Sequence, residues 1–197
     1  RIGDNGIVVA SETCAFDVIG AEYIRDVKPG EVIRIDLEGI TSERYATTCD
    51  QSMCSMEYVY FARPDSDVEG INVHQARKNC GRILAQEAPI EADIVVGVPD
   101  SGLSAAIGYA EEANIPFEIG MVKNKYIGRT FIQPSQALRE QGVKMKLSAV
   151  RSIVKDKRVV LIDDSIVRGT TSRRMVDMLR EAGAKEVHVR IASPEIK

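Results

Sequence analysis

Short apolar runs that alternate with helical stretches limit the fold of this chain more than any other feature. Ile94-Val-Val-Gly-Val98 is continuous and β-branched, with no polar alternation, which suits a strand buried on both faces. A helix is predicted over residues 101–114, and Phe117-Glu-Ile-Gly-Met-Val122 reads as the next strand. Arg158-Val-Val-Leu-Ile-Asp163 is a third strand, residues 170–182 its helix, and Glu186-Val-His-Val-Arg-Ile191 a fourth strand. Another helix is predicted over 73–87, and Gly183 sits where a helix C-terminus takes a left-handed residue. Strands alternating with helices specify an α/β fold: a parallel sheet flanked by helices, joined by right-handed crossovers. Ligands of such sheets bind beyond the carboxyl ends of the strands. That rule singles out three loops, at residues 99–102, 123–136 and 163–171.

The first forty residues read differently. Short strands are expected at 6–10 and 32–36, a helix at 13–19, and a turn at Lys28-Pro-Gly30. Residues 41–56 are polar and aperiodic, as in a linker or the edge of a neighbouring module. At 197 residues and 44% hydrophobic, the chain can bury a sizeable core. A net charge of −3 leaves no basic excess for nucleic acid. No run approaches the roughly 18 apolar residues of a membrane span. Cys14, Cys49, Cys54 and Cys80 form no Cys-x-x-Cys pair, so free thiols in a reducing cytoplasm are the simplest reading. The opening Arg-Ile-Gly-Asp-Asn-Gly has neither an initiator Met nor a signal pattern, and the chain reads as an internal piece of a longer polypeptide.

Val159-Val-Leu-Ile-Asp-Asp-Ser-Ile-Val-Arg-Gly-Thr-Thr-Ser172 is the most informative stretch. An apolar strand ends on two adjacent carboxylates, Asp163 and Asp164, and Gly169-Thr-Thr171 then opens a helix. The first amides of a helix lack intrahelical partners and lie at the positive end of its dipole. Gly169 permits close backbone approach, and the hydroxyls of Thr170 and Thr171 add donors, so this end suits a phosphate. The carboxylates suit the hydroxyls of a sugar or a hard cation. The stretch is not a Walker A loop, since no Gly-Lys-Ser/Thr sequence occurs.

Val98-Pro-Asp-Ser-Gly102 also joins a strand to a helix, and its amides and the Ser101 hydroxyl offer a second anion site. Lys123-Asn-Lys-Tyr-Ile-Gly-Arg-Thr-Phe-Ile-Gln-Pro-Ser-Gln136 is polar, basic and aromatic. It reads as a lid in which Lys125, Tyr126 and Arg129 close over a highly charged substrate and exclude water. His74 and His188 read as structural or surface residues.

The stretch from Val159 to Ser172 resembles the 5-phosphoribosyl-1-diphosphate (PRPP) fingerprint of type I phosphoribosyltransferases. The resemblance implies that fold and assigns Asp163 and Asp164 to the ribose and its Mg²⁺. It places the 5′-phosphate on Arg168, Gly169, Thr170 and Thr171, with Ser165 in the same loop. The diphosphate falls on Pro99, Asp100, Ser101 and Gly102, with Ser101 a further Mg²⁺ contact. The wording Lys-Tyr-Ile-Gly-Arg-Thr-Phe-Ile-Gln-Pro narrows the likeness to the glutamine-dependent amidophosphoribosyltransferase family. Ala10-Ser-Glu-Thr-Cys-Ala-Phe-Asp-Val-Ile-Gly-Ala-Glu22 and Val27-Lys-Pro-Gly-Glu-Val-Ile33 resemble the end of that family's Ntn-type glutaminase domain. Glu57-Tyr-Val-Tyr-Phe-Ala-Arg-Pro-Asp-Ser66 resembles the crossing into its transferase domain.

That likeness divides the chain into a glutaminase remnant with linker at 1–62 and a phosphoribosyltransferase domain at 63–197. It implies transfer of glutamine-derived ammonia to C1 of PRPP, the first step of purine synthesis. Purine nucleotides follow as feedback inhibitors and a homo-oligomer as the parent. No cysteine occupies the place of the glutaminase nucleophile. Some members carry a 4Fe–4S cluster, and Cys54 matches one of its ligands. Two rival readings stay open on the residues alone: a phosphoribosyltransferase that salvages free bases, and a regulatory module that binds PRPP without chemistry.

Overall fold

In the computed structural model the described residues are 1–3, 6–46, 49–124 and 147–194. They fall into two contact units, Arg1–Val73 and His74–Lys197.

The first unit holds little regular structure. Helix α1 (Cys14–Ile19) ends on Gly20, left-handed at φ 67°, whose N–H reaches the Asp17 carbonyl. The expected turn forms at Lys28, whose carbonyl accepts the Glu31 N–H at 3.0 Å. Strand β1 (Glu31–Asp36) pairs antiparallel with β2 (Gly39–Arg44), Glu31 opposite Arg44 and Asp36 opposite Gly39. Strand β2 was not legible, because all six of its residues are exposed and no buried face imposes an alternation. The expected strand at 6–10 does not form. Only Gly6 pairs, in an isolated bridge to Ile2, and among the described residues the apolar run beyond it has no strand to join. A single π-helical turn at Glu57–Phe61 precedes the two-residue strands β3 (Asp67–Val68) and β4 (Ile71–Asn72). Within this unit the Glu12 carboxylate accepts the Arg63 N–H at 2.7 Å and the Ser66 hydroxyl at 2.8 Å, and the Thr13 hydroxyl accepts the Asp67 N–H at 2.7 Å.

The second unit carries the alternation. In order come α2 (Val73–Glu87), β5 (Ile94–Gly97), α3 (Leu103–Ala113), β6 (Met121–Lys123), β7 (Leu147–Ala149), α4 (Arg151–Val154), β8 (Arg158–Asp163), α5 (Thr170–Glu181) and β9 (Glu186–Ile191). Among the described residues β5, β8 and β9 form a parallel sheet in that spatial order. Phe117 extends it by a parallel bridge to Val95 on the outer side of β5. The single strand expected at 117–122 is therefore split: β6 turns away and pairs antiparallel with β7, Met121 opposite Ala149. Gly120 marks the break, since a Cβ there would press on Val96 at 2.6 Å.

All four residues of β5 are buried, as a strand covered on both faces requires. Val95, Val160 and Ile162 face Ala105, Ala106 and Tyr109 of α3. Val96, Val159 and Leu161 face Met175 and Leu179 of α5, together with Met121 and Val154. Two apolar layers thus clamp the sheet, and the strand ends emerge together at its carboxyl edge. No described helix is long and apolar enough to cross a membrane.

Candidate active site

The carboxyl ends of β5 and β8 lie side by side, because the two strands pair in register from Ile94 opposite Val159 to Gly97 opposite Ile162. The pairing continues into the first loop: the Val98 N–H donates to the Ile162 carbonyl at 2.9 Å. The chain then turns, with a cis peptide at Pro99-Asp100, and the Gly102 N–H returns to the Val98 carbonyl at 2.9 Å. Gly102 is buried against the end of β8, and a Cβ there would overlap the Ile162 carbonyl oxygen. Only glycine lets the loop lie this close to the residue that precedes Asp163. Pro99 and Ser101 are half-buried and Asp100 is exposed.

Asp163 ends β8 and Asp164 follows it, both almost fully buried at 8% and 6% exposure. Their backbone is fixed by the residues just past β9: the Ala192 N–H donates to the Asp163 carbonyl at 3.0 Å and the Ser193 N–H to the Asp164 carbonyl at 2.9 Å. One Asp163 carboxyl oxygen accepts the Asp164 N–H at 2.9 Å, and the Ser165 hydroxyl donates to the Asp164 carboxylate. Burial pushes the Asp163 carboxyl up to about 6. The neighbouring Asp164 charge adds to the rise and the Asp164 N–H opposes it.

Past Asp164 the loop opens to solvent, with Ile166, Val167 and Arg168 exposed. Gly169 caps α5 in the left-handed region at φ 69°. That conformation accounts for glycine at this position, as a side chain there is strained. Thr170 and Thr171 are exposed in the first turn of α5, whose first amides lack intrahelical partners.

The fold thus brings the 99–102 loop, the Asp163–Asp164 pair and the α5 N-terminus to one edge of the sheet. Lys125, Tyr126 and Arg129 lie outside the described residues. Cys54 belongs to the first unit and is exposed. Among the described residues no cluster of three or more His, Cys, Asp or Glu is poised to hold a metal. Cys54 supplies one thiolate where a 4Fe–4S cluster takes four, so the described residues of this chain do not by themselves fit that group. Asp163 and Asp164 do fit Mg²⁺, which typically takes one or two protein carboxylates and completes its shell with substrate phosphates and water.

Sequence reasoning missed the partner of Lys123 and put the residue at the head of the lid loop, whereas it is the last residue of β6. Its Nζ lies 2.7 Å from an Asp100 carboxyl oxygen. The two residues are 23 apart, and no spacing rule links the end of one strand to the loop after another.

The phosphoribosyl transferase domain family matches residues 71–192. The chain is 69% identical over 189 residues to an amidophosphoribosyltransferase of Bacillus subtilis, across 96% of this chain and 40% of the relative. It is 57% identical over 195 residues to one from Staphylococcus aureus, across 99% of this chain and 40% of that protein. Among solved structures it superposes on the glutamine PRPP amidotransferase from B. subtilis complexed with ADP and GMP, with a TM-score of 0.87 at 69% identity, covering 94% of this chain and 41% of the other. It also superposes on a structure described as the allosteric regulatory enzyme of purine biosynthesis, with a TM-score of 0.87, 69% identity, and coverage of 93% and 40%. The chain spans about two-fifths of the length of these relatives. The family match spans both strand-end loops and the sheet that holds them, and the chain therefore belongs to the phosphoribosyl transferase domain family.

Proposed function

We propose that this chain carries the PRPP site of an amidophosphoribosyltransferase. One observation supports the reading above the others. A pair of buried carboxylates sits between a helix N-terminus opened by a left-handed glycine and a second turn held against the same strand end. PRPP has a phosphate at one end, a diol in the middle and a diphosphate at the other. The amides and hydroxyls of Gly169, Thr170 and Thr171, with Arg168, take the 5′-phosphate. Asp163 and Asp164 take the ribose, with Ser165 beside them. Pro99, Asp100, Ser101 and Gly102 present backbone and hydroxyl to the diphosphate.

In the reaction, the C1–oxygen bond to diphosphate breaks with its electron pair leaving on oxygen. Ammonia forms the C1–nitrogen bond and loses a proton, giving 5-phosphoribosylamine. Positive charge develops on the ribose ring beside Asp163 and Asp164, whose carboxylates favour it. Mg²⁺ held by Asp163, Asp164 and the Ser101 hydroxyl would offset charge on the leaving diphosphate. Ammonia needs little activation, so positioning and electrostatics carry most of the acceleration.

The description of the B. subtilis structure as a glutamine PRPP amidotransferase supports glutamine as the source of the ammonia, and the segment at 1–62 supports a glutaminase remnant by its resemblance. ADP and GMP in the B. subtilis complex support purine nucleotides as regulators, and a homo-oligomer remains the assembly we expect. Cys54 serves a cluster only with cysteines from elsewhere in a longer protein. The four free cysteines favour a reducing cytoplasm.

Calorimetric titration of the full-length protein tests the site. PRPP binding in Mg²⁺ is expected to weaken by about 100-fold or more in Asp163→Asn/Asp164→Asn, through loss of charged contacts to ribose and cation. Unchanged affinity would refute the assignment. Turnover of PRPP with ammonium, followed by ³¹P resonance, separates this enzyme from one that consumes adenine or guanine.

A further inference from the structure

We propose that Lys123 is a positioning residue whose ammonium neutralises Asp100 and so makes the 99–102 loop able to accept an anionic diphosphate. The inference rests on the assignment of that loop to the diphosphate.

Asp100 is out of place in an anion-binding loop. Its carboxylate is adjacent to Ser101, and its side chain is 72% exposed, so it is not there to fill the core. A fixed negative charge beside incoming phosphates opposes them. At a few ångströms in a solvated loop the repulsion is worth about tenfold in affinity.

The structure supplies the countercharge. Lys123 is the last residue of β6, where its backbone is registered against Leu147 of β7. Two residues earlier Met121 is buried in the core at 1% exposure, which anchors the strand. From that fixed base Nζ reaches the Asp100 carboxylate at 2.7 Å. The Lys123 side chain is 40% exposed, and an ion pair this open to water adds little to stability. Its consequence is local: the net charge of the loop falls from −1 to zero before substrate arrives.

A double-mutant cycle on the full-length protein decides this, with inorganic diphosphate as the probe. Lys123→Gln is expected to weaken diphosphate binding about tenfold, and Asp100→Asn in the same chain to restore most of the loss. Lys123→Arg keeps the charge and is expected to keep the affinity. Three results would each overturn the proposal: unchanged binding in Lys123→Gln, a double variant as weak as Lys123→Gln alone, or no diphosphate binding by the unaltered protein. The second of these would mean that the ammonium meets the ligand itself. PRPP titration of Asp163→Asn/Asp164→Asn separately tests the wider site, so the two failures are distinguishable.

Discussion

Burial at the end of β8 sets the pH behaviour of Asp163. Its carboxyl rises from the ordinary 3.8 to about 6, because desolvation and the Asp164 charge outweigh the Asp164 N–H. A carboxyl raised in the folded state favours folding while protonated. That contribution is complete below the unfolded value near 4 and is lost as pH climbs through about 6. At neutral pH the ionised group therefore costs about 2–3 kcal/mol in the absence of ligand. Asp163→Asn keeps an acceptor for the Asp164 N–H and removes the charge. Thermal unfolding without Mg²⁺ should show the variant no more stable than the parent at pH 4 and more stable at pH 7.5. A pH-independent gap would show that the ionised carboxylate carries no such cost. The pair itself was legible in the sequence, since two acids that close an apolar strand before Gly-Thr-Thr have few purely structural uses. Its near-complete burial was not, because burial is set by chain segments far from the pair in sequence, such as residues 192–193, whose amides bond the Asp163 and Asp164 carbonyls. The partnership of Lys123 with Asp100 was equally invisible, as it depends on which strand ends the fold sets side by side.

Helices α2 and α3 meet at backbone distance. A Cβ on Gly81 would overlap the Ala105 carbonyl oxygen, and one on Gly108 would overlap the Lys78 carbonyl oxygen. Two opposing effects bear on Gly81→Ala. Alanine gains about 1 kcal/mol in helix propensity. Wedging a methyl between packed backbones costs typically 1–3 kcal/mol, and more when the obstacle is main chain that cannot rotate aside. The steric effect should win, so Gly81→Ala is expected to lower stability by about 1–2 kcal/mol, seen as a lower urea midpoint at unchanged slope. A higher midpoint would mean that the helices separate freely. The span of α2 was readable in the sequence, and Gly183, at φ 100°, stands where a helix end calls for it. Glycines inside a helical pattern name no partner, so this contact was not readable. Strand β2 escaped for the opposite reason: it pairs through its backbone alone and leaves no hydrophobic alternation to find.

At the scale of the molecule the two units differ in what holds them. Among the described residues the buried hydrophobic side chains of Arg1–Val73 are Cys14, Ala62 and Val73. Many of its larger apolar groups lie open, including Val9 at 70%, Val18 at 74% and Leu37 at 107% exposure. In His74–Lys197 the whole run from Val159 to Ile162 is inaccessible, and apolar layers cover both faces of the sheet. Apolar burial is the main favourable contribution to folding, so a unit that buries little should open at low free energy while a clamped sheet opens only on global unfolding. Native-state hydrogen exchange of this chain should therefore find its slowest amides in β5 and β8 and much faster exchange along β1 and β2. The hairpin amides are hydrogen-bonded too, so hydrogen bonding alone would predict equal protection. Equal protection of β1 and β8 would thus count against apolar burial as the cause. The expected gradient would place the Asp163–Asp164 pair on the most persistent element of the chain, where ligand groups keep their geometry while other segments fluctuate.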